Sequence, residues 1–193
     1  MMVKQTFFCL DDDVGFLRGK ISRATSNKLK SWLKSLQYNQ TPAILLLDTE
    51  GGFSDVELLM EIVKTPLHIH VLKNAQSWGM AMAMCASTLS CNPGSAFMLH
   101  KPRWDMHKNS EEIARDEHLM TKFTFETASI LSSVSSCMLK DEICDAFTED
   151  GDTYFHCDWL WEQGLIDHIG EIDLQFVKDR DAAKIIEELY NAE

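Results

Sequence analysis

Basic residues are scarce in this chain. Lys and Arg number 18 against 30 Asp and Glu, and the formal net charge is −12. Nucleic-acid binding by phosphate neutralisation needs a basic face, and docking on an anionic membrane needs a basic patch. The composition argues against both, and the acidity is read as solubility. The six cysteines, Cys9, Cys85, Cys91, Cys137, Cys144 and Cys157, form no Cys-x-x-Cys pair and no zinc-like Cys/His spacing. Most lie in apolar surroundings, as buried thiols do, which suits a reducing compartment. No apolar run is long enough to cross a bilayer. The stretch from Met1 to Cys9 is too short for a signal peptide. These absences predict a soluble, cytoplasmic protein without metal or cofactor. Internal repeats, low-complexity segments and inter-domain linkers are also lacking.

What is present is enough apolar residue, 45% of 193, for one domain spanning 1–193 with a real core. Gln5–Leu10 and Gly15–Gly19 read as short strands around the turn Asp11-Asp12-Asp13. Ser22 to Leu36 is helical, with Ala24, Leu29, Trp32, Leu33 and Leu36 at helix spacing and Thr25 or Ser26 as N-cap. Ala43–Asp48 is apolar without alternation, the pattern of a parallel strand covered on both faces. Ser54 to Val63 is a second helix, with Val56, Leu58, Leu59, Ile62 and Val63 inward, broken by Pro66. His68–Leu72 is the next strand. The repeat of strand, turn and helix predicts an α/β fold with right-handed crossovers and a site at the carboxyl ends of the strands.

Beyond Pro102 the chain turns polar. It then reads as one helix from about Glu111 to Leu139, with Leu119, Phe123, Ala128, Leu131, Val134 and Met138 as its apolar positions. At ~1.5 Å per residue such a helix is roughly 40 Å long. It exceeds what the domain needs and is expected to project and meet a partner. Phe147–Asp152 reads as an acidic loop, Trp159–Gln163 as a short helix closed by Gly164, Leu165–Ile169 as a strand, and Asp179–Glu193 as a terminal docking helix.

Residues 74–100 draw the chemistry together. Ser77 follows a strand and opens an Ala/Met-rich helix, so its hydroxyl is held out of the core near the positive end of a helix. His100 ends a second apolar run, Ala96 to Leu99, where a base can reach that hydroxyl. A hydroxyl nucleophile also needs a carboxylate behind its base and donors for the oxyanion. The pair Gly51-Gly52 offers backbone N–H groups that no side chain obstructs, as does the N–H of Trp78. An ordinary turn would use the same glycines.

Four blocks in order, Leu47-Asp48-Thr49-Glu50-Gly51-Gly52, Gln76-Ser77-Trp78-Gly79-Met80-Ala81, Met98-Leu99-His100-Lys101-Pro102 and Gly164-Leu165-Ile166-Asp167, resemble the signature blocks of the Clp protease proteolytic subunit (ClpP) family. The resemblance covers roughly residues 14 to 170, and the shorter, phage-encoded members match the compact length. It implies a ClpP/crotonase-type spiral of β-α-β units with a projecting handle helix in a segment of about 103–142, and a C-terminal helix of about 179–193. It implies a serine endopeptidase acting on unfolded proteins or peptides, with Ser77 as nucleophile, His100 as base and Asp152 as the orienting carboxylate. Gly51, Gly52 and Trp78 fall at its oxyanion turn. Members assemble into rings, heptamers or stacked double rings, around a closed chamber, and some work with an ATPase unfoldase. Because this chain starts close to its first strand, the segment that contacts the unfoldase is expected to be short or missing.

Several residues depart from the family pattern. Glu50 stands where members carry proline, Asn74-Ala75-Gln76 where small residues precede the serine, Trp78 where methionine is usual, and Lys101 where glutamine follows the histidine. Glu50 is expected either to lower activity or to select basic residues in the substrate. Asn74-Ala75-Gln76 predicts a narrower substrate groove. Two alternatives stay open: a crotonase-type acyl-CoA enzyme, and a silent ClpP-like subunit with a structural or regulatory role. Met80, Met82 and Met84 are read as core packing, His68 and His70 as hydrogen-bonded strand residues, and Trp159 and Trp161 as core or rim aromatics. His156, Cys157 and Asp158 have ligand-type side chains but, as three consecutive residues, are not expected to converge on one ion.

Overall fold

The fold is given by a computed structural model, which describes residues 6–40, 42–101, 126–131, 142–143, 145–146 and 151–172. The expected handle helix and C-terminal helix lie outside these residues, apart from residues 126–131, which are helical. Among the described residues, no helix is long and apolar enough to cross a membrane.

The chain opens as a hairpin, β1 (Thr6–Asp11) antiparallel to β2 (Val14–Arg18), turning at Asp12 and Asp13. Helix α1 (Arg23–Asn39) follows. Its N-cap is Ser22, whose hydroxyl accepts from the Thr25 N–H at 3.1 Å, and not Thr25 or Ser26. Those two are buried in the first turn, and Ser26 Oγ donates to Asp55 Oδ2 at 2.6 Å. Asp55 in turn caps α2 (Val56–Val63), so one short contact ties together the starts of two helices. Lys30 reaches the same carboxylate at 3.0 Å. Burial opposes charge on Asp55, but the bonds from Ser26 and Lys30 outweigh it and hold the carboxyl below its ordinary range. Val63, expected inward, is 41% exposed, whereas Glu61 is buried and accepts from Gln37.

Between these helices in the chain comes β3 (Ala43–Thr49), parallel to β2 on one side and to β4 (Leu67–Gln76) on the other. Leu45, Leu46 and Leu47 have no exposed surface, as an uninterrupted apolar run in a parallel sheet requires. Strand β4 continues four residues beyond the expected end at Leu72, through Lys73, Asn74, Ala75 and Gln76. Its two halves serve different neighbours. Residues 68–71 pair with β5 (Thr88–Cys91), and residues 74–76 pair with β6 (Ala96–His100). The ladder with β3 shifts register between Leu47 and Thr49, close to where β4 changes partner. The sheet divides at this point.

Two strands were not expected. One is β5, which leaves α3 (Trp78–Met84) by way of residues 85–87. The other is β7 (Asp152–His156), antiparallel to β6, which begins at Asp152, the last residue of the expected acidic loop; residues 147–150 of that loop lie outside the described residues. Helix α4 (Cys157–Glu162) follows, with Gly164 at φ 74 just past its end, and β8 (His168–Ile169) pairs with β5. All three methionines of α3, Met80, Met82 and Met84, are buried in the core, as expected.

Candidate active site

Ser77 sits between β4 and α3 with φ 53 and ψ −121. That combination lies outside the regions open to residues with a side chain, and it persists only where neighbours enforce it. The neighbours are identifiable. The Ser77 N–H donates to the Met98 carbonyl at 2.7 Å, and the Ser77 carbonyl accepts from Met80 and Ala81. Gly51 presses on the same turn: a Cβ there would lie 2.6 Å from Ser77 Cβ and 2.7 Å from the Gln76 carbonyl oxygen. Gly79 makes a matching allowance inside α3, since a Cβ on it would run into Thr49 Cγ2. Although Ser77 occupies the N-cap of α3, its hydroxyl makes no capping bond. It is left half-buried at the mouth of the strand ends.

The glycine turn is built from β3 onward. Gly51 has φ 84 and Gly52 φ 134, both favouring glycine. Thr49, buried at the end of β3, organises the turn. Its hydroxyl donates to the Gly19 carbonyl at 2.6 Å and accepts from the Gly51 N–H at 3.1 Å. This bears on the expected oxyanion donors: the Gly51 N–H is turned to Thr49, while Gly52 follows in the turn. The N–H of Trp78 belongs to the first residue of α3, where helix geometry supplies no intrahelical acceptor. The Trp78 indole itself is buried in the core, so its bulk does not fill the groove.

His100 and Asp152 are register partners across β6 and β7, so their side chains stand on one face of the same antiparallel pair. The His100 ring does not use that neighbour. Its Nδ1 donates to the Lys101 carbonyl at 2.6 Å, which leaves Nε2 as the unprotonated nitrogen of a neutral ring. Asp152 is exposed at the start of β7. The serine thus follows β4, the histidine ends β6 and the aspartate opens β7, three strands joined in one ladder, with His100 Nδ1 bonded to the Lys101 carbonyl.

A polar chain lies along the same strand ends. Arg18 Nε is 3.4 Å from Asp48 Oδ2, Asn74 Nδ2 donates to Asp48 Oδ1 at 3.0 Å, and Gln76 Nε2 donates to Asn74 Oδ1 at 3.3 Å. Asn74 and Gln76 therefore have a defined place beside Ser77. Neither Thr49 nor Arg18 was singled out in the sequence, because a threonine at a strand end and an arginine in a hairpin carry no signal until the fold brings their partners.

Elsewhere, His68 and His70 form the expected strand-face ladder. His68 bridges Thr88 at 2.7 Å and Ser90 at 2.8 Å, and His70 bridges Ser90 at 2.7 Å and Asn92 at 3.0 Å. Burial, with the charges of His68 and His168, lowers the His70 pKa to about 4 against an opposing bond to Asn92. The ligand atoms of His156, Cys157 and Asp158 do converge, within 4.8 Å, contrary to expectation. Helix capping accounts for it: His156 Nδ1 accepts from the Asp158 N–H at 3.4 Å and lies 3.3 Å from its carboxylate. Burial raises the Cys85 thiol to about 12, and burial with the facing Cys157 raises Cys91 to about 12. Cys9, by contrast, is exposed. Cys137 and Cys144 lie outside the described residues.

The family model for Clp protease covers residues 4–173. No curated protein matches the chain. The strand-to-helix serine, the glycine turn and the paired histidine and aspartate all fall inside the matched span, and the chain belongs to the Clp protease family, a family of peptidases.

Proposed function

We propose that this protein is a serine endopeptidase in which Ser77, His100 and Asp152 form the catalytic triad. The observation that carries the reading is the strained Ser77 turn, whose hydroxyl is not spent on capping its own helix. Strain of this kind, enforced by Gly51 and Met98, is expected where a hydroxyl must be held out for attack. Ser77 Oγ attacks the peptide carbonyl, and His100 Nε2 takes its proton. The N–H groups of Gly52 and Trp78 receive the oxyanion, while Gly51 supplies the close approach. His100 then returns the proton to the leaving amine, and water activated by the same ring hydrolyses the acyl-enzyme. Asp152 orients the ring and stabilises the imidazolium once Nδ1 leaves the Lys101 carbonyl. The bond to Lys101 supports a resting form that reorganises before turnover.

The substrate is an extended polypeptide that pairs with a strand edge beside the glycine turn. The working form is a ring of subunits, single or stacked, that encloses the sites in a chamber and acts in the cytoplasm. An open groove on a peptidase would cut its neighbours, and a chamber admits only small or threaded chains.

Hydrolysis of an unstructured fluorogenic polypeptide by the assembled protein tests the reading. Ser77→Ala and His100→Ala are expected to lower kcat/KM by about a thousandfold or more, and Asp152→Asn by less. Unchanged rates in Ser77→Ala would remove the proposal.

A further inference from the structure

The glycine turn carries an acid with no structural duty. Two acidic residues lie close together around the end of β3, Asp48 within the strand and Glu50 just after it. Asp48 is committed to Arg18 and Asn74. Glu50 is exposed and, among the described residues, makes neither an ion pair nor a hydrogen bond. It immediately precedes Gly51, whose Cβ position would lie 2.6 Å from Ser77 Cβ. With adjacent Cα atoms ~3.8 Å apart, the Glu50 Cα lies within about 8 Å of Ser77 Cβ. A cation, Lys20, packs on the other side of the turn: its Cγ would be 2.9 Å from a Cβ on Gly52, whose nearest neighbours are Ile21 and Lys20. Lys20 is exposed and forms no ion pair with Glu50.

A negative charge on a side chain anchored that close to the nucleophile opposes the negative charge that develops on the attacked carbonyl. Every substrate bears that cost equally. Only a substrate that brings its own cation offsets it, and an acidic side chain adds to it. We infer that Glu50 sets the charge preference of the site, favouring a lysine or arginine side chain next to the scissile bond and disfavouring glutamate. The inference rests on the reading of Ser77 as nucleophile and adds the substrate class. For an illustrative separation of about 8 Å between the Glu50 carboxylate and a substrate cation, screening from water-like to protein-like corresponds to a preference between about twofold and about thirtyfold for lysine over an isosteric neutral side chain. It weakens as salt shortens the screening length.

The test is the rate at which peptidyl phosphonates, identical except for Lys, norleucine or Glu beside the phosphorus, modify Ser77, read by intact mass. A plain fluorophosphonate serves as control. The expected order in the wild type is Lys, then norleucine, then Glu, with the Lys-to-Glu ratio falling toward one in Glu50→Gln and in high salt. Equal rates for the three probes would overturn the inference while leaving the nucleophile intact. So would a Lys preference that survives Glu50→Gln, or one that disappears only in Lys20→Gln, or modification by the plain probe alone. If the plain probe also fails to modify Ser77, the reading of the nucleophile fails and the inference falls with it.

Discussion

At the scale of single residues, the site depends on backbone positions that few residues tolerate. Ser77 holds φ 53 and ψ −121, and such a conformation costs of order 1–3 kcal/mol in a residue with a Cβ. Glycine removes most of that cost. Ser77→Gly is therefore expected to be more stable than Ser77→Ala by about 1 kcal/mol in urea unfolding, although neither carries the hydroxyl. Equal stabilities would mean that the turn is not strained. Thr49 offers a second check. Its buried hydroxyl holds both the Gly19 carbonyl and the Gly51 N–H. Thr49→Val leaves both unanswered and should cost about 1–3 kcal/mol while misplacing the glycine turn. Thr49→Ser should restore most of the stability and the hydrolysis rate together. Ser77, His100 and the glycine pair could be picked out in the sequence, because their residue types announce chemistry at strand ends. Thr49 could not, since its two partners lie in the β2–α1 connection and in the turn it builds.

Among the elements, the parallel strand β3 and helices α1 and α2 could be read directly from apolar patterning. The strands that complete the site could not. Strand β4 carries Lys73, Asn74 and Gln76 in its second half, so its apolar signal stops at Leu72 while its backbone runs on to pair with β6. In β7 only Phe155 is buried, and Asp152, Thr153, Tyr154 and His156 are exposed, so the strand resembles a polar loop until its ladder with β6 is seen. The histidine ladder between β4 and β5 gives a pH prediction. His70 is buried with a pKa lowered to about 4 from an ordinary value near 6.5. The unfolded chain therefore binds the extra proton between those values. Stability contributed by neutral His70 is complete above about pH 6.5 and is lost as the pH falls toward 4. Urea unfolding at pH 7.5 and 4.5 should differ by about 2–3 kcal/mol more in the wild type than in His70→Gln. An equal difference in both would show that other groups carry the acid sensitivity.

For the whole molecule, family membership and the division of the sheet at β4 explain why the site lies where it does. The two halves of β4 commit to different neighbours, and Ser77 emerges from the half that pairs with the histidine strand. Met60 and Val63, at i and i+3 on α2, stay 40% and 41% exposed, and Tyr38 at the end of α1 is 90% exposed. Large apolar side chains left at a surface are the raw material of subunit contacts. Sedimentation velocity should find a species several times the 22.0 kDa of one chain. A 22.0 kDa species under every condition tried would remove the chamber from the account.

All of these expectations depend on an activated serine at one position. Intact-mass analysis after exposure to a fluorophosphonate addresses it most directly, for the wild type and Ser77→Ala under conditions where the protein is oligomeric. The account predicts a single adduct on the wild type and none on Ser77→Ala. A wild type that stays unmodified, or an adduct that persists in Ser77→Ala, would contradict it.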